Sequence, residues 1–172
     1  MKLTAEFVRC RLNYDPETGL FTWKAREERR PIDRSWNSRR AGTLAGSENS
    51  EGYVEIYLDT RSYKAHHLAW LFVHGTTVSM LDHIDRNRAN NRIANLRPAS
   101  VRENNWNRSR STKNLTGTKG VSREGSSDKW VARITANKRQ YRLGTFEKKA
   151  DAIAARRAAE RSFYGDFSPK EM

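Results

Sequence analysis

Leu81-Asp82-His83-Ile84-Asp85-Arg86-Asn87-Arg88-Ala89-Asn90-Asn91-Arg92-Ile93-Ala94-Asn95-Leu96-Arg97-Pro98 is the stretch from which the fold of the chain is read. Residues 78–84 suit a strand, residues 85–95 are too polar for a core and read as a loop, and Leu96-Arg97-Pro98 carries the chain back. Ser100 followed by Glu103 is the reciprocal capping pattern of a helix start, and it turns Asn104 outward from the first turn. The order is therefore strand, loop, strand, helix. A hard cation prefers oxygen ligands and retains waters and substrate phosphates, so Asp82 and Asn104 are a sufficient protein contribution for Mg²⁺, with Mn²⁺ as the alternative. His83 then stays off the metal, where a near-neutral imidazole can take a proton from water attacking phosphorus while the metal stabilises the departing oxygen. Consecutive strand residues point to opposite faces, so this reading expects the strand to end or bulge at Asp82–His83. By itself the Asp-His dipeptide is a polar turn with a hydrogen-bonded histidine; the whole constellation is what points to phosphodiester cleavage.

Composition narrows the partner. The 172 residues hold 33 Lys+Arg against 20 Asp+Glu, a formal charge of +13, which draws the chain to a polyanion, with nucleic acid ahead of an anionic membrane. No run approaches the roughly 18 apolar residues of a spanning helix, and Glu6, Arg9, Arg11, Asp15 and Glu17 stand where a signal peptide needs an apolar core. The expectation is a cytoplasmic protein with no membrane partner. The single Cys10 excludes an intrachain disulfide framework and multi-cysteine zinc sites, and it reads as a buried apolar residue.

The segments ahead of the polar loop read as scaffold. Residues 4–12 suit a short helix with Phe7, Val8 and Leu12 on one side, and Tyr14-Asp15-Pro16-Glu17-Thr18-Gly19 is a turn before a strand over residues 20–24. Residues 25–46 hold six arginines around Trp36 with little periodicity, and are expected to be a long surface loop able to touch phosphates. Residues 52–63 suit a β-hairpin, and residues 65–74 a helix with Leu68, Leu71 and Phe72 as its stripe and Gly75 as its stop. His66 and His67 begin that helix. Adjacent helical side chains diverge by about 100°, so they read as packing or single hydrogen bonds rather than metal ligands.

The charge is unevenly divided: residues 108–172 hold 16 basic and 7 acidic side chains, a balance of +9. Residues 107–118 are polar, basic and almost free of large apolar side chains, as an exposed linker is. The organisation expected is residues 1–107, a linker over 108–118 and a second domain over 119–172. In the latter, residues 119–123, 129–136 and 139–146 read as three strands and 148–164 as an alanine-rich helix stopped at Gly165. Alternation puts Trp130, Ala132, Ile134, Tyr141 and Leu143 on one face, against Ala150, Ile153, Ala154 and Ala158 of the helix. Arg133, Thr135, Gln140 and Arg142 are left on the other, where arginines can read guanine edges in a major groove.

Ala65-His-His-Leu-Ala-Trp70, Leu81-Asp-His-Ile-Asp85, Asn90-Asn-Arg-Ile-Ala-Asn-Leu-Arg97 and Ser100-Val-Arg-Glu-Asn104 together resemble the HNH nucleases of the free-standing or intron-encoded homing type found in phages. That resemblance implies a ββα-metal nuclease fold, with His83 as general base, Asn95 bracing the loop behind it, and Asn104 binding metal alongside Asp82. Many relatives carry histidine at the last position, and asparagine is a second known pattern. Gly120-Val-Ser-Arg123, Lys129-Trp-Val-Ala-Arg-Ile134 and Leu143-Gly-Thr-Phe146 followed by the alanine helix look like the ethylene-response-factor (APETALA-two) DNA-binding domain. This second resemblance implies that Lys119, Arg123, Arg133, Thr135, Gln140 and Arg142 face bases and phosphates. Ser122 and Arg142 depart from the plant pattern, so the bound sequence does not carry over.

The expectation is thus an α+β protein: a ββα-metal nuclease domain, then a small three-stranded antiparallel sheet packed on one helix. It would hydrolyse double-stranded DNA with one divalent metal, with site preference, as a monomer on the DNA, and as a homing endonuclease by resemblance. Twelve linker residues reach at most about 40 Å, slightly more than one duplex turn of roughly 34 to 36 Å, with Arg108, Arg110 and Lys113 following the backbone. The alternative is a DNA-binding regulator that has lost catalysis and uses both modules as grips.

Overall fold

The computed structural model describes residues 3–107, 114 and 116–169. They form a mixed α/β protein of the α+β class, in two compact units that meet in sequence between Ser100 and Val101. Arg108, Arg110 and Lys113 lie outside the described residues. Among the described residues no helix is long and apolar enough to cross a membrane.

The first unit opens with α1 (Ala5–Arg11), whose first turn is capped by the Thr4 hydroxyl accepting from the Phe7 N–H at 3.2 Å. Val8 and the following Leu12 face inward and are fully buried. Cys10 falls on the outer side of this helix and is exposed, against the expectation of burial; its thiol lies 3.1 Å from the Phe7 carbonyl. Two residues from Val8 is about 200° around a helix, which carries Cys10 away from the core. The chain then makes an antiparallel hairpin, β1 (Leu12–Asp15) and β2 (Leu20–Trp23), with the Tyr14 and Phe21 rings tilted against each other at 4.7 Å between centres.

The arginine-rich stretch is not a loop throughout. It contains α2 (Pro31–Arg40), begun by Pro31 and by Asp33, whose carboxylate turns back to accept from the Arg30 N–H at 3.0 Å. The helix is tied down by polar bonds: Asn37 exchanges two 2.8 Å bonds with the backbone of Arg26, and Trp36 lies between the Arg26 guanidinium and an edge-on Trp23. An apolar stripe is the signal by which an amphipathic helix is read from sequence, and α2 has none.

A three-stranded antiparallel sheet follows, β3 (Ser47–Glu48), β4 (Val54–Leu58) and β5 (Arg61–Lys64), of which the two longer strands form the expected hairpin. Next comes α3 (Ala65–His74), ended by Gly75 in the left-handed conformation. Leu68, Ala69 and Leu71 of α3 close over Ile56, Leu58, Val8, Leu12 and Phe21 to make the core of this unit. The unit ends with a two-stranded ladder, β6 (Leu81–His83) and β7 (Leu96–Pro98), joined by the polar loop.

The second unit begins with α4 (Val101–Asn107). Its sheet is antiparallel in the order β10-β9-β8, from β8 (Val121–Arg123), β9 (Trp130–Ala136) and β10 (Arg139–Phe146), and is backed by α5 (Lys149–Tyr164). Asn137 and Lys138, both at positive φ, make the tight turn between β9 and β10. The strands lie where alternation puts them, but the helix is rotated from the expected face. Ala150, Ala154 and Ala158 are exposed, whereas Ala152, Arg156, Ala159, Glu160 and Tyr164 are buried, with Ile153 at the margin. A polar pair drives that rotation. β8 is short and leaves the far half of β9 without a strand partner on that side, so Arg156 supplies a donor to the Arg133 carbonyl at 2.5 Å and Tyr164 one to the Thr135 carbonyl at 3.0 Å. Glu160 holds the Arg156 guanidinium from one turn further along at 2.9 Å.

The Arg156 guanidinium passes directly over Gly120, which sits at φ +69°; a β-carbon there would collide with the Arg133 carbonyl and come within 2.8 Å of the Arg156 Nη1. Gly120→Ala is therefore expected to destabilise the second unit by at least about 2 kcal/mol, read as a lowered midpoint in chemical denaturation of the full chain.

Candidate active site

The loop between β6 and β7 is closed by one carboxylate. Asp85 Oδ1 accepts from the Asn95 side chain at 2.9 Å and from the Asn87 N–H at 2.8 Å, and Oδ2 accepts from the Asn90 side chain at 2.6 Å. Asn95 completes the clasp: its Oδ1 accepts from the Asp85 N–H at 3.0 Å and its Nδ2 also donates to the Asn90 carbonyl at 2.9 Å. Burial pushes the Asp85 carboxyl up, but the bonds from Asn90, Asn87 and Asn95 outweigh it and leave the group below the ordinary aspartate value.

The ladder keeps regular register through Asp82 opposite Arg97 and His83 opposite Leu96, and then ends. The expected break is a strand end without a bulge. Asp82 is 4% exposed and its Oδ2 accepts from Arg97 Nε at 2.9 Å and Nη2 at 2.6 Å, so a guanidinium balances the one carboxylate expected to hold metal. Arg97 was not singled out from the sequence; only the cross-strand register reveals it. Asn104 lies on α4 in the second unit.

His83 is 5% exposed and packs edge-on against His66 at 4.8 Å, with Tyr53 at 6.1 Å. Its Nε2 lies 3.4 Å from Asn91 Oδ1. Because Asn91 Nδ2 is committed to the Ala89 carbonyl at 3.1 Å, the atom turned to His83 is an acceptor, and Nε2 must carry the proton. The neutral ring then has its lone pair on Nδ1. Burial is the main reason that the His83 pKa is lowered, against the opposing pull of the Asn91 bond and of Asp85 and Asp82. Lys64 Nζ and the Arg88 guanidinium lie 3.9 and 4.8 Å from the Tyr53 ring centre, so two cations flank the aromatic neighbour of His83. Such a rim attracts phosphate.

The N-terminal hairpin braces this loop from behind. The Tyr14 hydroxyl donates to the Asn91 carbonyl at 2.7 Å, the Ile93 N–H reaches the Pro16 carbonyl at 3.3 Å, and Gly19 lies so close that a β-carbon would stand 2.6 Å from the Asn91 carbonyl carbon and meet the Arg92 nitrogen. Burial chiefly raises the Tyr14 pKa, to about 12, so its hydroxyl stays a donor. Asn91 is thus held on both sides, a role the sequence reading did not separate from those of its neighbouring asparagines.

The residues suit a hard divalent ion and no cage of soft ligands. Among the described residues no group of three histidine, cysteine, aspartate or glutamate side chains is placed to hold a metal, and Asp82 is the buried carboxylate beside His83, of the oxygen type that a hard ion can share with phosphates. In the second unit, Lys119 precedes β8 and Arg123 pairs with Asp128 at 2.5 Å. Arg142 pairs with Glu124, and Arg133 reaches the Ser122 hydroxyl at 3.3 Å; Thr135 and Gln140 are exposed.

Two outcomes are expected. Gly19→Ala should leave the chain folded but raise amide hydrogen exchange over residues 84–95, since it displaces Asn91 and Arg92. His66 is 4% exposed with its Nδ1 buried and without a hydrogen-bond partner, and burial above all pushes its pKa from 6.5 to about 2. The unfolded chain therefore binds the proton first as pH falls. Stability contributed by the neutral ring is complete above pH 6.5 and is lost progressively below it, by at most about 1.4 kcal/mol per pH unit. Denaturation midpoints should fall between about pH 6.5 and 4.5, and His66→Phe should flatten that slope.

Residues 63–106, which span α3, the β6–β7 ladder and most of α4, match the family model described as HNH endonuclease. Over 88 residues the chain is 31% identical to Protein 3.8 of Escherichia phage T7, a stretch that is 51% of this chain and 72% of that protein. No solved structure matches. HNH nucleases generally use a divalent metal and act on DNA. With the clasped loop, His83 at the strand end and this relationship, the chain belongs to the family of phage T7 Protein 3.8 and carries an HNH endonuclease domain.

Proposed function

We propose that the protein is a divalent-metal-dependent endonuclease that hydrolyses phosphodiester bonds of double-stranded DNA with site preference, as a phage-encoded homing enzyme acting in the host cytosol. The observation that carries this reading is His83: buried, neutral, and fixed as the Nε2–H tautomer by an asparagine that the loop itself immobilises. A neutral imidazole with its lone pair on Nδ1 is the form that takes a proton from an attacking water. Asp82 and Asn104 would hold the metal, and the bound ion would supply charge stabilisation at the leaving 3′ oxygen. Asn95 keeps the loop closed behind the base through Asp85. Lys64 and Arg88 draw the phosphate toward His83, and Arg97 holds the Asp82 carboxylate in place.

Site preference is assigned to the second unit, as a domain resembling the ethylene-response-factor type. Its Lys119, Arg123, Arg133, Thr135, Gln140 and Arg142 face DNA, and Arg108, Arg110 and Lys113 follow the backbone between the two. The ion pairs Arg123–Asp128 and Arg142–Glu124 are surface pairs, each worth little in water, so phosphates can replace the carboxylates. Arg97 on Asp82 is the observation that favours a second reading, a DNA-binding regulator without cleavage.

Incubation with supercoiled plasmid separates the two readings. Mg²⁺ should give nicked or linear product and EDTA should abolish it. His83→Ala should lower turnover at least about a hundredfold, the low end of general-base contributions, with DNA retention in gel shifts unchanged. Full turnover by the variant would remove the base assignment, and intact plasmid under all ions would favour the regulator.

A further inference from the structure

The second unit holds a cavity of about 330 Å³ beside the part of β9 that β8 does not cover, bounded by α4 on another side. Four cations line it, Arg102, Lys119, Lys138 and Arg156, together with Trp106 and Tyr164, and no carboxylate is among the lining residues. Arg156 is already balanced by Glu160 at 2.9 Å. Arg102 and Lys138 add two further cations to the lining, and Lys119 a third.

The walls are fixed. Trp106 stacks on Tyr164 with ring centres 4.6 Å apart and planes at 13°, and the Tyr164 hydroxyl is bonded to the Thr135 carbonyl at 3.0 Å. Arg102 Nη1 lies 3.3 Å from Asn137 Oδ1, which ties the first turn of α4 to the β9–β10 turn, and Lys138 is held at φ +63° in that turn. Three cations with an aromatic wall, in a space the size of a small-ligand site, match a phosphorylated, planar ligand. The outward face of the sheet, to which sequence contacts are assigned above, carries different residues apart from Lys119 and Thr135.

We infer that this cavity is a nucleotide site: it takes one phosphodiester of the bound DNA strand between Arg102, Lys119 and Lys138, with the attached nucleoside against Trp106. The inference rests on the proposed DNA substrate. It gives α4 a second task, because Asn104 lies on that helix between two lining side chains, and an occupied cavity steadies the helix that presents it.

The test uses the full chain in EDTA and a fluorescent duplex, with anisotropy measured across a series of salt concentrations. The double variant Arg102→Ala/Lys138→Ala is compared with Lys148→Ala/Arg161→Ala, which removes two exposed cations that do not line the cavity. The cavity variant should lower the slope of log K against log salt by about 0.9, the contribution of the one phosphate it no longer neutralises, while the control variant keeps the wild-type slope. Equal loss in both, or no loss in the cavity variant, overturns the site. Failure of the wild type to bind duplex overturns the DNA reading and the site with it. Free dAMP is the second probe: if it binds the wild type as tightly as the duplex does, and Arg102→Ala/Lys138→Ala abolishes this, the ligand is a free nucleotide and the strand assignment fails.

Discussion

The side chain of Asp85 is the point on which the HNH domain turns. Asn90 and Asn95 donate side-chain bonds to it, Asn87 a backbone one, and its own N–H returns a bond to Asn95. A polar loop of this length has no apolar surface with which to order itself, so charge-assisted bonds replace burial as its source of shape. The consequences run outward. With the loop closed, Asn91 is turned to His83 and the tautomer of that imidazole is set; with β6 ended at His83, the ring lies against His66 and Tyr53.

Much of this was legible in the residues, for identifiable reasons. The hairpins at Tyr14–Gly19 and Asp59, α3 with its Gly75 stop, and all of β8, β9, β10 and α5 are announced by turn residues and periodicity. The helix at Pro31–Arg40 was not, because its anchors are Asn37 and Trp36 rather than an apolar face. The face of α5 was misread for a related reason. Alanines advertise close packing, but the unpaired carbonyls of β9 called for Arg156 and Tyr164, and three of the four chosen positions turned to solvent. In the site, Asp82, His83 and Asn95 stand out by residue type. Arg97 and the role of Asn91 depend on register and on which carboxamide atom faces which ring, and one sequence carries neither.

The two units distribute charge differently. In the first, cations near the candidate site sit against an aromatic or a carboxylate: Arg97 on Asp82, and Lys64 and Arg88 on Tyr53. In the second they line a cavity and one sheet face, with Glu160 buried beside Arg156 and the partners of Arg123 and Arg142 nearer the surface. The first pattern aims a few groups with accuracy. The second produces a field to which a polyanion responds at a distance, and which salt weakens.

Tyr14, Pro16 and Gly19 touch the backbone of residues 91–93 directly, although they lie outside the span that defines the family. The segment is therefore not a self-sufficient cassette. Any exchange of residues 63–106 into another host chain, by recombination or by design, would have to import the opening hairpin as well, or evolve a new buttress of the same shape.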